Sequence, residues 1–428
     1  MVLRPFAVAL VLLTAPFAYA AEATDVPDAA DGDDPFDAHV SLRFDYTYQR
    51  ALITRENTQI SEHDQVKSPR TVDVRELDYQ RHTIRLRPRI EVGIFHDLSA
   101  FFEWPIVVRD QQNTSFANGT DATNSTLARD MNGPVPTIEG WRQTRGSADG
   151  SYDQERFGFP NRGYNEWNIN PADGSFESVR AQFDYPTLGV RWSPLNNERD
   201  PSKPTITLQV DYNLGILPLP VANPTDDTPT SDEPASVAKG LHEFHFHVGM
   251  SKRWLLLDPY FLVDYWLPFG ATNAYPGFQP RHRGGFTFGM EVVAYENPKL
   301  DQKVAIDLSA VTHYLSEGRD YSEMSDALGE LTYVGQSMRM GGNVGVYLRA
   351  FEFAYIDVTG SALYDTEHFL TSESIGKDGE NNNGVVDLDP NEKERSVYFN
   401  PALDTPGRRL KVEDSVHLQV MVHAALTF

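Results

Sequence analysis

The segment DSVHLQVMVHAALTF, residues 414–428, is the stretch on which the fold turns. One of its faces reads Val416, Leu418, Val420, Val422, Ala424, Leu426, Phe428, and the other reads Ser415, His417, Gln419, Met421, His423. Successive side chains of a strand point to opposite sides, so a period of two held this long is a strand with one apolar face. The same period recurs upstream, where Ile206, Leu208, Val210, Tyr212, Leu214 and Ile216 alternate with Thr205, Thr207, Gln209, Asp211 and Asn213.

What bathes the apolar face is decided by residues 84–94. Ile84, Leu86, Pro88, Ile90, Val92 and Ile94 fall on one side, and Arg85, Arg87, Arg89 and Glu91 on the other. A soluble β-sandwich would have to bury a ladder of charges or show water an unbroken aliphatic face. Lipid outside and a polar lumen inside satisfy both faces, and Lys or Arg turned to mid-bilayer lipid, which would cost about 2–4 kcal/mol, is missing from the central apolar rows. The expectation is an all-β, closed antiparallel transmembrane barrel of about twelve strands spanning 38–428. The strands begin near His39, Tyr79, Ser99, Val179, Pro204, Gly240, Leu257, Gly284, Asp301, Thr332, Ala350 and Asp414. Near Tyr185, Pro186 and Thr187 the apolar parity switches, which predicts a bulge. Connections alternate between short turns (96–98, 193–203, 252–256, 297–300, 349) and long loops (54–78, 110–178, 218–239, 270–283, 316–331, 366–413). Short periplasmic turns and long extracellular loops are the pattern of outer-membrane barrels, with both termini periplasmic. Tyr46, Tyr48, Trp104, Trp192, Tyr212, Trp254, Tyr265, Tyr295 and Tyr364 fall toward strand ends, as interfacial girdles do.

The amino terminus supports export. Arg4, an apolar run from Phe6 to Phe17 and the small-x-small triplet Ala18, Tyr19, Ala20 read as a signal peptide, residues 1–20. An acidic segment, 21–37, follows and is expected to be disordered and too short to plug a lumen. With Arg4 removed, 36 basic residues stand against 61 acidic ones, a formal charge of −25, so nucleic acid is not an expected partner. Cysteine is absent, which leaves closure of the sheet rather than disulfides to hold the fold.

Ending on an outward aromatic, Phe428, resembles the carboxy-terminal signal by which bacterial outer-membrane β-barrels are handed to the barrel-assembly machinery. With the signal peptide and the alternating strands, the chain resembles the general porin-like class of such barrels. The resemblance implies residence in the bacterial outer membrane, with its lipid and lipopolysaccharide as partners.

The polar faces place Arg43, Arg85, Arg87, Arg89, Arg109 and Arg191 on the first four strands, and Asp211, Glu243, Asp264, Glu291, Asp307 and Asp357 on the fifth to eleventh. Closure sets these walls opposite each other. A transverse field across a wet lumen orients dipolar solutes and focuses ions, the property of a passive channel for small polar or charged solutes. The alternative is a filled interior in which these groups pair with Asp45, Glu91, Glu103, Asp184 and Arg339, because barrels of about twelve strands lie between filled and open sizes.

The loops carry further candidates. Trp141, Tyr152, Phe157, Phe159, Tyr164 and Trp167 equip the longest one to pack on itself as a cap, or to hold a sugar-like ligand. In 377–392, Asp378, Glu380, Asn382, Asp387 and Asp389 surround Gly384 and offer hard oxygen ligands suited to calcium, though Gly379 stands where an EF-hand has its first acid. On the sixth strand Glu243, His245 and His247 share one face at period two and are geometrically able to meet one metal ion, but a lone strand supplies poor tetrahedral geometry and polar lining of a wet lumen is the plainer reading, unless His313, His417 and His423 prove adjacent. No cofactor is otherwise implied. Neither the acid and histidine set of a protease nor the Ser, His and polar set of a lipase is identifiable by spacing, so an enzyme is not expected; His82 and His242 read as interfacial. A non-conducting scaffold or adhesin displaying its loops is the other reading of function, and a hydrolase the third.

Overall fold

The computed structural model describes residues 21, 24, 26, 38–60, 69–132, 167–197, 199–216, 241–270, 279–297, 299–351, 353–372, 396–399, 403, 404 and 408–428. The first strand, Ala38–Ile60, pairs along one edge with the second, Pro69–Phe95, and along the other with the last, Leu410–Thr427. Between them the wall runs in chain order through Leu98–Glu103 with Ile106–Phe116, Phe176–Phe183 with Thr187–Leu195, Thr205–Asn213, Leu241–Ser251, Leu257–Gly270, Arg283–Asn297, Gln302–Leu315, Ser337–Phe351 and Ala354–Asp365. The third and fourth strands are interrupted at Pro105 and Pro186, which have no N–H to give to the ladder. Twelve antiparallel wall strands therefore close on themselves. Closure leaves no row of unpaired donors, the condition for crossing lipid with strands. Backbone hydrogen bonds between Ala38 and Phe428, at 3.0 and 3.1 Å, seal the seam at the carboxy-terminal residue.

The two faces separate as their residue types require. Ile90 is 52 % exposed on the outer surface while its neighbour Glu91 is 4 % exposed inside, and Val416, Leu418, Val420 and Leu426 stand outward on the last strand. Arg85, Arg87 and Arg89 line the interior. Near the loop end, tyrosines on the outer face meet histidines across the strand pair or at its edge. Tyr46 and His82 lie 3.0 Å apart, Tyr212 and His242 2.7 Å, and Tyr265 and His282 3.0 Å. These pairs place His82 and His242 on the outer face, each ring held by a tyrosine.

Several boundaries differ from those the sequence suggests. Residues 54–78 do not form a long loop: the first hairpin continues to Ile60 opposite Pro69, because its backbone pairing persists where the apolar alternation has ended. Thr332–Val334 pairs with Gly318–Asp320 inside a loop, and the tenth wall strand starts at Ser337. At the proline break in the fourth strand, Phe183 stays outward and Tyr185 turns into the lumen. The short turns need left-handed backbone at non-glycine residues, with φ of 49° at Asp97, 59° at Leu255 and 47° at Asp301. Asp97 carries a second duty, accepting hydrogen bonds from Asn196 at 2.8 Å and pairing with Arg199 at 3.2 Å, which ties two turns together.

At the loop end the interior is apolar. Ile53, Leu77 and Tyr79 project inward from the first two strands and meet Leu127 and Met131 of the helix Thr126–Asn132, Trp167, Ile169, Met324, Ala327, Leu328 and Leu370. Burying this surface against the wall is what holds a cap of loop segments in place. Buried charges beside it are paired: Arg55 meets Asp130 at 2.8 Å, and Glu76 accepts the Thr126 N–H at 3.0 Å and the Ser125 hydroxyl at 2.6 Å at the start of that helix. Trp167 joins this core as the cap expectation holds; the other aromatic residues singled out in the loop lie outside the described residues. So do residues 1–20 and 377–392, with Asp378, Glu380, Asn382, Asp387 and Asp389.

Of the segment 21–37, only Ala21, Thr24 and Val26 are described, and all three are buried. Thr24 bonds Ser251 Oγ at 2.8 Å and accepts the Thr207 hydroxyl at its carbonyl, also at 2.8 Å. At these positions the segment lies against the inner wall of the fifth and sixth strands rather than free of it.

Candidate functional site: the charged lumen

Below the cap the described residues line a larger and a smaller chamber that share part of their wall. The larger, about 940 Å³, lies toward the loop end, and the smaller, about 320 Å³, toward the turns. Arg43, Arg87, Arg89, Glu103 and Arg191 line both and form a belt between them.

The structure brings most of the expected lumen residues together. Arg43, Arg85, Arg87, Arg89, Arg191, Asp211 and Glu243 line the larger chamber; Glu291, Asp307 and Asp357 line the smaller. Asp264 lies in the wall between His245 and His247, 3.1 and 2.7 Å from their ring nitrogens. Arg109 is the exception. A bulge at Val108 places Val107 opposite Arg85 and Arg109 opposite Ile84, so the Arg109 side chain faces outward and Asp110 takes the lumen position. Strict alternation carried through an unseen bulge misassigned it.

Four further arginines, Arg81, Arg180, Arg281 and Arg283, line the larger chamber with Arg339. Arg81 sits on the inward row of the second strand two residues before Thr83, so extending that row would have found it. Arg281 and Arg283 flank the start of the eighth strand, where no alternation yet marks a face. Ten arginines (43, 81, 85, 87, 89, 180, 191, 281, 283, 339) thus surround the larger chamber against six carboxylates (Glu103, Asp110, Asp184, Asp211, Glu243, Asp320). In the smaller chamber four of those arginines face five carboxylates, Glu91, Glu103, Glu291, Asp307 and Asp357. Positive charge is therefore concentrated at the loop end of the lumen in a chain of net charge −24. The polarity runs along the axis as well as across it.

Partial neutralisation is local. Asp45 lies 2.8 Å from Arg87 and 3.6 Å from Arg43, Asp184 is 3.5 Å from Arg85, and Glu91 is 2.5 Å from Arg89. These acids share the first four strands with the arginines, as the filled-interior alternative requires for pairing, yet the chambers between the walls persist. On the other wall Asp307 accepts the Tyr260 hydroxyl at 2.8 Å, and Asp357 meets His423 at 2.8 Å. Gly289 permits the first of these contacts: a Cβ there would come within 2.2 Å of the Tyr260 ring that lies across it.

A plug separates the larger chamber from the cap. The loop between the ninth and tenth strands turns inward, and all four residues of its short helix, Ser325–Leu328, are buried. Asp326 accepts hydrogen bonds from Arg180 Nε at 3.0 Å, Ser178 Oγ at 3.0 Å and Tyr321 at 2.5 Å, and Tyr321 accepts one from Gln112 at 2.9 Å. Burial, and then the Asp326 carboxylate, push the Tyr321 phenol well above its ordinary value, so it keeps the proton it donates. Gln49 on the first strand donates to Glu323 at 3.0 Å. Burial opposes ionisation of Glu323, but His368 and its hydrogen bonds outweigh this and hold the carboxyl below its usual range. Arg281 fastens the base of the loop through Ser316 O at 2.7 Å and Ser337 Oγ at 3.1 Å.

No protein-family model matches the chain, and no curated protein matches it either. Solved structures similar in fold include an outer membrane channel from Pseudomonas putida F1, at 8% identity and a TM-score of 0.42, covering 96% of this chain and 100% of that one. A FadL homologue from Pseudomonas aeruginosa is similar over 91% of this chain and 90% of that one, at 8% identity and a TM-score of 0.34. The outer membrane protease OmpT from Escherichia coli is similar over 92% and 96%, at 9% identity and a TM-score of 0.29.

Proposed function

We propose that this barrel resides in the bacterial outer membrane with its turns in the periplasm and acts as a passive channel for small anionic and zwitterionic solutes. The inward loop is then its constriction. One observation carries the reading: ten arginines against six carboxylates around a chamber of about 940 Å³, inside a barrel with an aliphatic outer wall. Fixed positive charge in a low-dielectric tube raises the local concentration of anions and excludes cations.

Planar-bilayer recording under a salt gradient tests this. The native barrel is expected to show a reversal potential of anion-selective sign, and R85Q/R87Q/R89Q is expected to move it toward cations, because three of the ten positive charges are removed while the outer wall is untouched. A reversal potential unchanged by the triple replacement would take those side chains out of the permeation path. Absence of current at any voltage, from the native barrel and from the plug variant D326A alike, would leave a scaffold that only displays its loops.

A further inference from the structure

We infer that His245 Nε2, His247 Nδ1 and a carboxylate oxygen of Asp264 form a binding site for one divalent transition-metal ion of the zinc class, with a coordination position left open to the larger chamber. The three donor atoms lie within 4.8 Å of one another. His245 Nε2 and His247 Nδ1 stand 3.1 and 2.7 Å from Asp264 Oδ1. In a tetrahedral site with metal–ligand bonds of about 2.0–2.1 Å, neighbouring donors are about 3.3 Å apart, so the Asp264 oxygen must draw back from His247 by roughly half an ångström and the two rings close on the ion as it enters. Two His and one carboxylate is a zinc ligand set that keeps a fourth position for water or an anionic oxygen.

The surroundings of His245 point the same way. Asp211 Oδ2 lies 2.9 Å from His245 Nδ1, so the Nδ1–H donates to that carboxylate and the lone pair is left on Nε2. With Nδ1–H donated to Asp211, His245 turns Nε2 toward Asp264 Oδ1, and a metal ion between those two atoms takes the place of the second proton that an imidazolium would carry there. A carboxylate holding the far nitrogen of a ligating imidazole is the usual outer partner at a metal site, fixing tautomer and ring orientation. Trp266, stacked on the His245 ring at 4.2 Å and 4°, holds its plane. Glu243, which shares the face, is engaged with Asn213 Nδ2 at 3.0 Å, and the ligand the sixth strand needed comes instead from Asp264 on the seventh, paired in register with His247. His245 and His247 line the chamber, so the ion would add positive charge beside the solute path, whether or not the barrel conducts.

Zinc chloride titrated calorimetrically into chelator-treated, folded barrel is expected to bind with one equivalent. That equivalent is lost in H247Q and in D264N. In D211N it is kept but weakened by about 10–100-fold, the signature of a residue that positions a ligand. Cobalt(II) bound to the native barrel gives a readout that needs no variant, through the visible absorption of a tetrahedral site. No zinc uptake by the native barrel, or an unchanged equivalent in both H247Q and D264N, overturns the site. Equal affinity of D211N and the native barrel removes the positioning role of Asp211.

Discussion

Replacing Asp326 by alanine is expected to open the lumen, raising single-channel conductance severalfold and exposing the loop between the ninth and tenth strands to protease. Asp326 accepts from Arg180, Ser178 and Tyr321, and both it and Arg180 are almost wholly buried. Removing one partner of such a pair costs about 3–5 kcal/mol, because a guanidinium is left dehydrated without its counter-charge. Against that loss the short helix sets the burial of Met324, Ala327 and Leu328 and neutral hydrogen bonds, from Asn168 to the Asp326 and Ala327 carbonyls at 2.8 Å, which are weaker than a stranded buried charge. Arg180 belongs to the wall and cannot leave, so the loop should. Replacing both partners, R180M/D326L, removes the stranded charge and should open the lumen far less than D326A. Equal conductance in D326A and the native barrel would show that the plug is not held by this pair.

The same pair shows where sequence reading reaches its limit. The wall was legible because the lipid face imposes a rule on each residue separately: Val416 to Phe428 and Ile84 to Ile94 needed no knowledge of partners. The rule fails at Arg109, where one extra residue in a bulge reverses sidedness without any compositional mark. It also fails at the loop end, where Ala51, Ile53, Leu77 and Tyr79 place apolar groups on the inward face. That violation was itself a signal, since an apolar inward row needs something apolar to cover it, and here it is the cap. Contacts between distant segments were not legible. Asp326 reaches Arg180 across 146 residues, and Asp264 meets His247 only because the sixth and seventh strands pair in one register. Registers depend on turn geometry and bulges, and a shift of one residue would have put Asp264 on the lipid face.

Placing a lysine at Val422 is expected to cost about 2–4 kcal/mol of folding free energy in lipid, a change of roughly 30- to 1000-fold in the folding equilibrium. Val422 stands on the outer face of the last strand between the outward-facing Phe44 and Val358 on its neighbours, with Val420 and Ala424 above and below it in the same apolar row. An ammonium there meets hydrocarbon and has only a four-carbon stem with which to reach the interface. Met421, one residue away, lines the smaller chamber, where water and fixed charges solvate an added ammonium, so M421K should change stability by less than about 1 kcal/mol. Denaturant titration of both variants in phospholipid vesicles compares them directly. The contrast depends on sidedness alone, because the two positions share strand, depth and backbone pairing. If M421K proved as costly as V422K, lipid and lumen would not be the two environments of this wall, and the arginine belt would lose its meaning as part of a solute path.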